Sequence, residues 1–337
     1  SSDVCSSDLP AASGLGGPVW RVRAMLKQLR YLHPDNVTLR GVLCDGLYTS
    51  VEALPPLVRP TPVTDAKVRA AANFVGTAAA SVPNLLKNLR RAVDEAPGDI
   101  VFDCHDFVST YMARRIYGDR HPAIITIHAK GGGAREALLD YPLLGKTPVA
   151  GLMTHIEDTA VSSADIVVFP SAGASEHFAE YHPGLLQGKR VETLYAGIDS
   201  GTLAEVPDDP TLRQRYEVGA DEHLIVSIAA MVQDKGLDTL VDAFAALPPE
   251  VRNRSRCLIV ARDGPLRPAI EAKIAEHNLQ ERVRLLGFLS REDMVRLLRD
   301  AQLFALPSRV AIFDVVHLEA MAVRTPVVTT KIGRAHV

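Results

Sequence analysis

An α/β protein of two doubly wound domains is what the sequence predicts. Three observations carry this: short β-branched runs alternate with helical stretches, the alternation starts again in the second half, and a segment rich in Gly, Asp and Pro at 195–210 lies between the halves. In the first half Val37–Leu43 alternates apolar and polar residues like a strand. Asp99–Cys104, Ala123–His128 and Asp165–Phe169 are further short apolar runs, with helical stretches such as Phe107–Tyr117 and Ala174–Tyr181 between them. In the second half His223–Ala230 reads as a buried strand. Leu237, Leu240, Val241, Phe244 and Leu247 then recur at helical spacing and give one apolar face. Cys257–Ala261, Val283–Leu286, Leu303–Leu306 and Pro326–Thr329 supply more strands. Ser290 with Asp293 three residues on resembles a capping box opening a helix over Arg291–Ala301.

The two ends stand apart from this pattern. Ser1–Leu9 (SSDVCSSDL) and Lys331–Val337 (KIGRAHV) resemble translated sequencing-adapter DNA and are set aside as scars. The expected organisation is therefore a scar over 1–9, a first domain over 10–206 lacking its first strand, a second domain over 207–330 cut short at its C-terminus, and a scar over 331–337. A chain truncated at both ends is expected to be poorly stable and inactive where its longer parent is active.

With 337 residues, 47% hydrophobic and 23% charged, the composition is that of an ordinary globular protein, and the length suits two domains. Residues 10–206 hold 19 Lys+Arg against 20 Asp+Glu, and 207–330 hold 16 against 18. Neither half is basic, which argues against nucleic acid as a partner. Cys44, Cys104 and Cys257 lack metal-ligand spacing and read as small apolar residues in a reducing compartment. The longest apolar run, Leu224–Val232, is too short to span a bilayer, and the expected location is the cytoplasm. A helix starting at Trp20 carries Arg21, Arg23, Lys27 and Arg30 among apolar residues. Such a mix suits peripheral contact with the anionic inner membrane face, and a solvated basic face explains it equally well.

Two doubly wound domains facing each other leave a cleft at the carboxyl ends of their sheets, where ligands bind. Candidate residues fall at such ends. Gly16 and Gly17, within Ser13-Gly14-Leu15-Gly16-Gly17, precede a helix and would let backbone approach an anion, although glycines there are often only a turn. His128 ends a strand, and a hydrogen-bonded core histidine is the alternative. Lys235-Gly236 follows the first strand of the second half and offers a fixed cation for a diphosphate. Gly264 lies in the turn Asp263-Gly264-Pro265. Glu319 could accept hydrogen bonds from a ribose diol, where a glutamate on a helix is more commonly just solvated.

The order of these pieces is more specific than any one of them. Lys235-Gly236 with its amphipathic helix is followed by Asp263-Gly264-Pro265, Leu286-Gly287-Phe288-Leu289, Leu306-Pro307-Ser308-Arg309, Leu318-Glu319-Ala320-Met321-Ala322 and Thr325-Pro326-Val327-Val328. This series resembles the donor-binding domain of glycosyltransferase family 4, the group 1 glycosyltransferases. Ile156-Glu157, Ala164-Asp165, Pro170-Ser171 and Gly197-Ile198-Asp199 resemble the end of that family's acceptor domain more loosely. The resemblance implies the GT-B fold and retaining transfer of a sugar from a nucleotide-sugar donor to a glycan or glycolipid acceptor, with no bound metal or other cofactor. The absence of an Asp-x-Asp pair agrees with that. It further implies that Lys235 holds the diphosphate, Glu319 the ribose, Gly287 and Phe288 border the base, His128 lies by the transferred sugar, and Gly16-Gly17 lets the first domain close on the donor.

Three positions depart from the family pattern: Ala230 stands where an Arg is usual, Ala311 where a Glu is usual, and Ala196 where an Asn is usual. Asp314, one helical turn beyond Ala311, is the candidate to replace that glutamate in catalysis. Two other readings follow from the departures and the fold: a nucleotide-sugar epimerase of GT-B fold, and a nucleotide-binding relative that has lost its chemistry.

Overall fold

A computed structural model describes residues 2–5, 39–42, 47–48, 82–96, 98–129, 131–140, 142–261, 264, 266–309 and 314–330. The chain divides into two compact units, one reaching to Ala196 and the other starting at Gly197. The sequence reading draws the boundary at 206/207. Residues 197–206 instead go with the second unit, because Arg299 reaches back to the carbonyls of Leu203 and Val206 and Arg296 to that of Pro207.

The first unit is built on a seven-stranded sheet. Its strands are β1 (Ser2–Cys5), β2 (Leu39–Val42), β3 (Leu47–Tyr48), β4 (Val101–Cys104), β5 (Ala123–Thr126), β6 (Ile166–Phe169) and β7 (Arg190–Thr193), ordered β3-β2-β1-β4-β5-β6-β7. All pairs are parallel except the short β2–β3 edge pair. Ser2–Cys5 corrects the expectation of a missing first strand. This segment, set aside as adapter-like, takes the central position between β2 and β4, with Ser2 opposite Leu39 and Val101. A parallel ladder is made of main-chain N–H and C=O groups, so the position constrains extended backbone more strongly than side-chain identity.

Helices cover the sheet, and their ends follow local chemistry. Phe107–Tyr117 starts where the Asp106 carboxylate accepts from the Ser109 amide and hydroxyl, at 2.8 and 2.6 Å. It stops at Gly118, whose left-handed backbone lets its N–H close on Arg114. Ala172–Tyr181 begins two residues before the expected start because the Ser171 hydroxyl accepts from the Ala174 amide. Around residues 82–94, Leu85, Leu89 and Ala92 meet Phe102, Cys104 and Ala123 in the core under this sheet. Arg114 is buried with its charge matched by Asp165, and its Nη1 donates to the Gly118 and His121 carbonyls, both at 3.0 Å, while its Nε–H has no hydrogen-bond partner among the described residues. A buried guanidinium is tolerable only with such matching.

The second unit repeats the design on five parallel strands: β8 (His223–Ile228), β9 (Ser255–Val260), β10 (Val283–Leu286), β11 (Leu303–Leu306) and β12 (Val327–Thr329), in the order β10-β9-β8-β11-β12. Leu237, Leu240, Val241 and Phe244 all turn inward from helix Leu237–Ala245, as their spacing predicts, onto Leu258, Phe304 and their neighbours. The Ser290 hydroxyl caps helix Arg291–Asp300 through the Asp293 amide at 3.1 Å, while the Asp293 carboxylate turns to Arg215 and Arg296. Cys104 and Cys257 are buried free thiols, and burial pushes the Cys257 thiol up to about 12.

Candidate functional site

In the second sheet the chain runs from β8 to β9 on one side and places β11 on the other, so β8/β11 is the topological switch point, where open α/β sheets bind ligands beyond their carboxyl ends. The loops leaving these two strands are locked together there. Gly236 has φ +62°, and a Cβ at this residue would lie 2.1 Å from the Pro307 carbonyl oxygen. Only glycine satisfies both the left-handed backbone and the approach. The Arg309 amide donates to the Asp234 carbonyl at 2.7 Å, and its guanidinium reaches the Gln233 carbonyl, the Asp238 carboxylate and the Thr239 hydroxyl. That guanidinium, as the first cause, holds the Asp238 carboxyl below its ordinary value.

This lock brings Lys235 onto Asp314. The ammonium donates to Asp314 Oδ1, and Asp314 Oδ2 accepts from the Ser308 hydroxyl at 2.8 Å. Both side chains of the ion pair retain slight exposure, 14% and 13%. Asp314 stands immediately before helix Val315–Ala322, and its carbonyl oxygen lies 3.0 Å from His317 Nδ1. A carbonyl can only accept, so the proton sits on Nδ1. Burial pushes the His317 pKa down, and its Nε2 is a buried acceptor with no hydrogen-bond partner among the described residues. One turn along the helix, Glu319 Oε1 accepts from Arg291 at 2.9 Å, with both groups partly exposed.

The other expected positions in this unit have different surroundings. A Cβ at Gly264 would sit 2.6 Å from the Met231 carbonyl oxygen, so this glycine lets the loop after β9 press on the loop after β8. A Cβ at Gly287 would meet no described atom within 4 Å, and Phe288 is 49% exposed. Ala311, Asp263 and Pro265 lie outside the described residues, as do Gly16 and Gly17. Among the described residues no cluster of three or more His, Cys, Asp or Glu side chains could hold a metal ion. No described helix is long and apolar enough to cross a membrane.

In the first unit His128 lies two residues beyond β5, and His105 one residue beyond the adjacent β4. Their rings stack at 16°, with His105 Nδ1 and His128 Nε2 3.0 Å apart. The loop that follows His128 is anchored by a buried carboxylate. Glu157, 1% exposed, accepts from the Ala134 amide at 2.7 Å and lies 3.2 Å from His182 Nε2. A Cβ at Gly132 (φ +112°) would come 2.2 Å from Glu157 Oε1, so this glycine too is required by its contacts. Burial raises the Glu157 pKa, against the lowering effect of the Ala134 N–H and His182.

Residues 208–336 match the family model described as glycosyl transferases group 1. The match covers most of the second unit. Among curated proteins, the chain is 33% identical over 117 residues to an alpha-D-kanosaminyltransferase of Streptomyces kanamyceticus, covering 35% of the chain and 30% of the relative. It is 28% identical over 302 residues to a D-inositol 3-phosphate glycosyltransferase of a Mycobacterium species, covering 84% and 64%. The chain thus spans between 30% and 64% of the length of these two relatives. Sucrose-phosphate synthase from Thermosynechococcus elongatus superposes with a TM-score of 0.66 at 16% identity, covering 99% of this chain and 82% of that one. An Anabaena protein solved with UDP and glucose gives 0.59 at 18% identity, covering 99% and 81%. At these identities the likeness shows the fold, which is α/β with parallel sheets and of the GT-B type.

Within the second unit, the sequence reading missed Arg291, Ser308 and His317 as partners of the expected residues. Arg291 opens a helix 28 positions before Glu319, and no local spacing signals that pair. Ser308 and Arg309 belong to a quoted motif, yet their contacts appear only once β8 and β11 are neighbours. His105 was legible only as a residue following a strand.

Proposed function

We propose that the protein is a retaining glycosyltransferase that moves a sugar from a nucleotide-sugar donor to a glycan or lipid-linked acceptor without a bound divalent metal. The observation that carries this is Lys235 at the β8/β11 switch point of the unit that matches group 1 glycosyl transferases, with Glu319 one helix away. The transferase names of the curated relatives support the same reading.

The chemistry asks for negative charge to be stabilised as it develops on the departing diphosphate. Lys235 supplies a fixed cation and would exchange its Asp314 partner for a diphosphate oxygen. Such an exchange keeps the largely buried ammonium paired with an anion throughout, so no uncompensated charge is left in the site. Asp314, with Ser308, keeps the ammonium directed while the site is empty and accepts it again after product leaves. The Glu319 carboxylate has room on its two oxygens to keep Arg291 while accepting from ribose hydroxyls. In a same-face transfer, the bond from the anomeric carbon to the diphosphate oxygen breaks and the bond from that carbon to the acceptor oxygen forms. The acceptor proton passes to a donor phosphate oxygen, so no enzymic nucleophile is assigned. His128 is placed by the transferred sugar, Gly16 and Gly17 by the closing of the first unit, and Gly264, Gly287 and Phe288 around the base. The proposed setting is cytoplasmic, with peripheral contact with the inner membrane face.

The test is nucleotide release and sugar transfer by this chain across a panel of nucleotide sugars, with and without EDTA. Lys235→Ala and Glu319→Ala are run beside it. Transfer from one donor that survives EDTA, keeps the anomeric configuration by NMR and disappears in both variants is the expected result. Tight nucleotide binding with no turnover of any donor would assign the protein to non-catalytic relatives. Donor isomerisation without an acceptor would assign it to the epimerases.

A further inference from the structure

A cavity of about 810 Å³ opens in the helical layer of the first unit, within the ~300–1,000 Å³ usual for small-molecule sites. Among the described residues that line it, neither His105 nor His128 appears. Arg135 and Leu138, three positions apart on helix Gly133–Asp140, share one face, as do Thr154 and Asp158, four apart on helix Pro148–Ser163. Tyr181 ends the third helix, Ala172–Tyr181, and the turn after it adds His182, Pro183 and Leu185.

Much of this wall is fixed before any ligand arrives. The Arg135 guanidinium lies 3.8 Å over the Tyr181 ring and donates to its hydroxyl at 3.0 Å. The chain at Gly131 presses on the same ring, since a Cβ there would come 2.6 Å from Tyr181 Cδ2. His182 stacks on Phe178 with ring centroids 4.3 Å apart, donates from Nε2 to the Gly131 carbonyl at 3.2 Å, and holds Nδ1 3.4 Å from Asp158 Oδ1. The Asp158 side chain is still 47% exposed and Tyr181 44% exposed.

The lining selects by elimination. A net anion would meet the Asp158 carboxylate, and a net cation the Arg135 guanidinium. A hydrocarbon would cover both charged groups and take water from them, at a cost. A neutral ligand with hydroxyls on its rim and C–H groups on its faces meets neither objection. Two adjacent hydroxyls can donate to the Asp158 carboxylate. The Thr154 hydroxyl donates to the Ala150 carbonyl at 3.1 Å, so its oxygen accepts from a third. Leu138, Pro183 and Leu185 offer apolar contact to ring C–H groups. That ligand is a pyranose.

We propose that this cavity is a saccharide-binding site, which holds a remote sugar of the acceptor during transfer. The site and its preference stand on the first unit alone, whereas the link to an acceptor rests on the glycosyltransferase reading. Arg135 follows His128 by seven residues, so their Cα atoms are at most about 25 Å apart, the reach of that much extended chain. An acceptor of several sugars can span such a distance.

The experiment is amide NMR of the full chain titrated with the methyl pyranosides of glucose, galactose, mannose and N-acetylglucosamine. Inorganic phosphate and a capped neutral tripeptide are the controls. At least one pyranoside is expected to move the Arg135, Thr154, Asp158 and Gly184 amides saturably, and the controls to leave them unmoved. Asp158→Ala should weaken that binding about tenfold, the scale of a hydrogen bond to a charged group. Thr154→Trp should abolish it by filling the cavity, with circular dichroism to check folding. If that variant does not fold, Asp158→Ala decides. A panel in which no pyranoside moves these amides overturns the proposal. Movement by phosphate or the peptide alone does so too, as does unchanged affinity in Asp158→Ala. Pyranoside binding in a chain that turns over no donor would sink the glycosyltransferase reading and leave the saccharide site standing. Transfer without such binding would do the reverse.

Discussion

The rims of the two sheets solve different problems with different chemistry. Beyond β8 and β11 the exposed rim is ionic: Lys235 with Asp314, Arg291 with Glu319 and Arg309 with Asp238 are all partly open to water. Beyond β4 and β5 the groups are imidazoles, and the carboxylate that anchors the following loop is buried and pushed toward its neutral form. A rim of exchangeable ion pairs can trade a carboxylate for a phosphate. A rim of imidazoles offers hydrogen-bonding groups of fixed direction. In both, one glycine per rim, Gly236 and Gly132, makes the arrangement sterically feasible.

The largest expected effect comes from breaking the ionic rim at its backbone. Gly236→Ala meets both a left-handed φ and the Pro307 carbonyl, and should destabilise the second unit by about 2–4 kcal/mol, read as a lower urea midpoint. An unchanged midpoint would mean that the two loops are not held together as described.

The neutral rim is tested by pH. Burial raises the folded-state pKa of Glu157 above its ordinary 4.5. Between those two values the folded state binds the extra proton, so this group's contribution is greatest below 4.5 and is lost as pH rises through the folded pKa. The difference in urea midpoint between wild type and Glu157→Gln, taken from pH 4 upward, should therefore fall with rising pH. A flat or rising difference would show that Glu157 is not desolvated.

Smaller effects sharpen the contrast. Asp314→Asn releases Lys235 and should tighten binding of a nucleoside diphosphate by about threefold to fivefold by calorimetry, the scale of a partly exposed ion pair. Weaker binding would mean that Asp314 positions the ammonium for the ligand and does not compete with it. Arg291→Met should weaken nucleotide binding by about twofold to threefold, with a matching rise in the donor KM, through loss of the Glu319 contact.

How much of this was legible in the sequence follows the same division. Strands buried on both faces announce themselves, and β4, β5, β6, β8, β9, β10 and β11 fall within or near the apolar runs that predict them. Helix Leu237–Ala245 was visible because its four inward residues keep helical spacing. Helix Arg267–Glu276 turns only Ile270 and Ile274 fully inward, and edge strand β7 is exposed throughout, so neither carries a comparable signal. β1 was discounted because its residues read as adapter, yet its place is defined by main-chain bonds to β2 and β4. Lys235 and Glu319 were singled out from motif order. Their partners Asp314 and Arg291 lie 79 and 28 positions away, and only the fold brings them together.

The seam between β8 and β11 has a kinetic meaning as well. β9 pairs with strands next to it in chain order on both sides, whereas β8 meets β11 only across the whole length of β9 and β10, with Ile225 opposite Leu303 and Val226 opposite Phe304. Closing so long a loop is entropically slow, so this is the last join expected to form as the second unit folds. A nucleotide gripping the loops on both sides of that join would act as a clasp. It would slow opening of the domain at its weakest line and make resistance to proteolysis a direct gauge of occupancy.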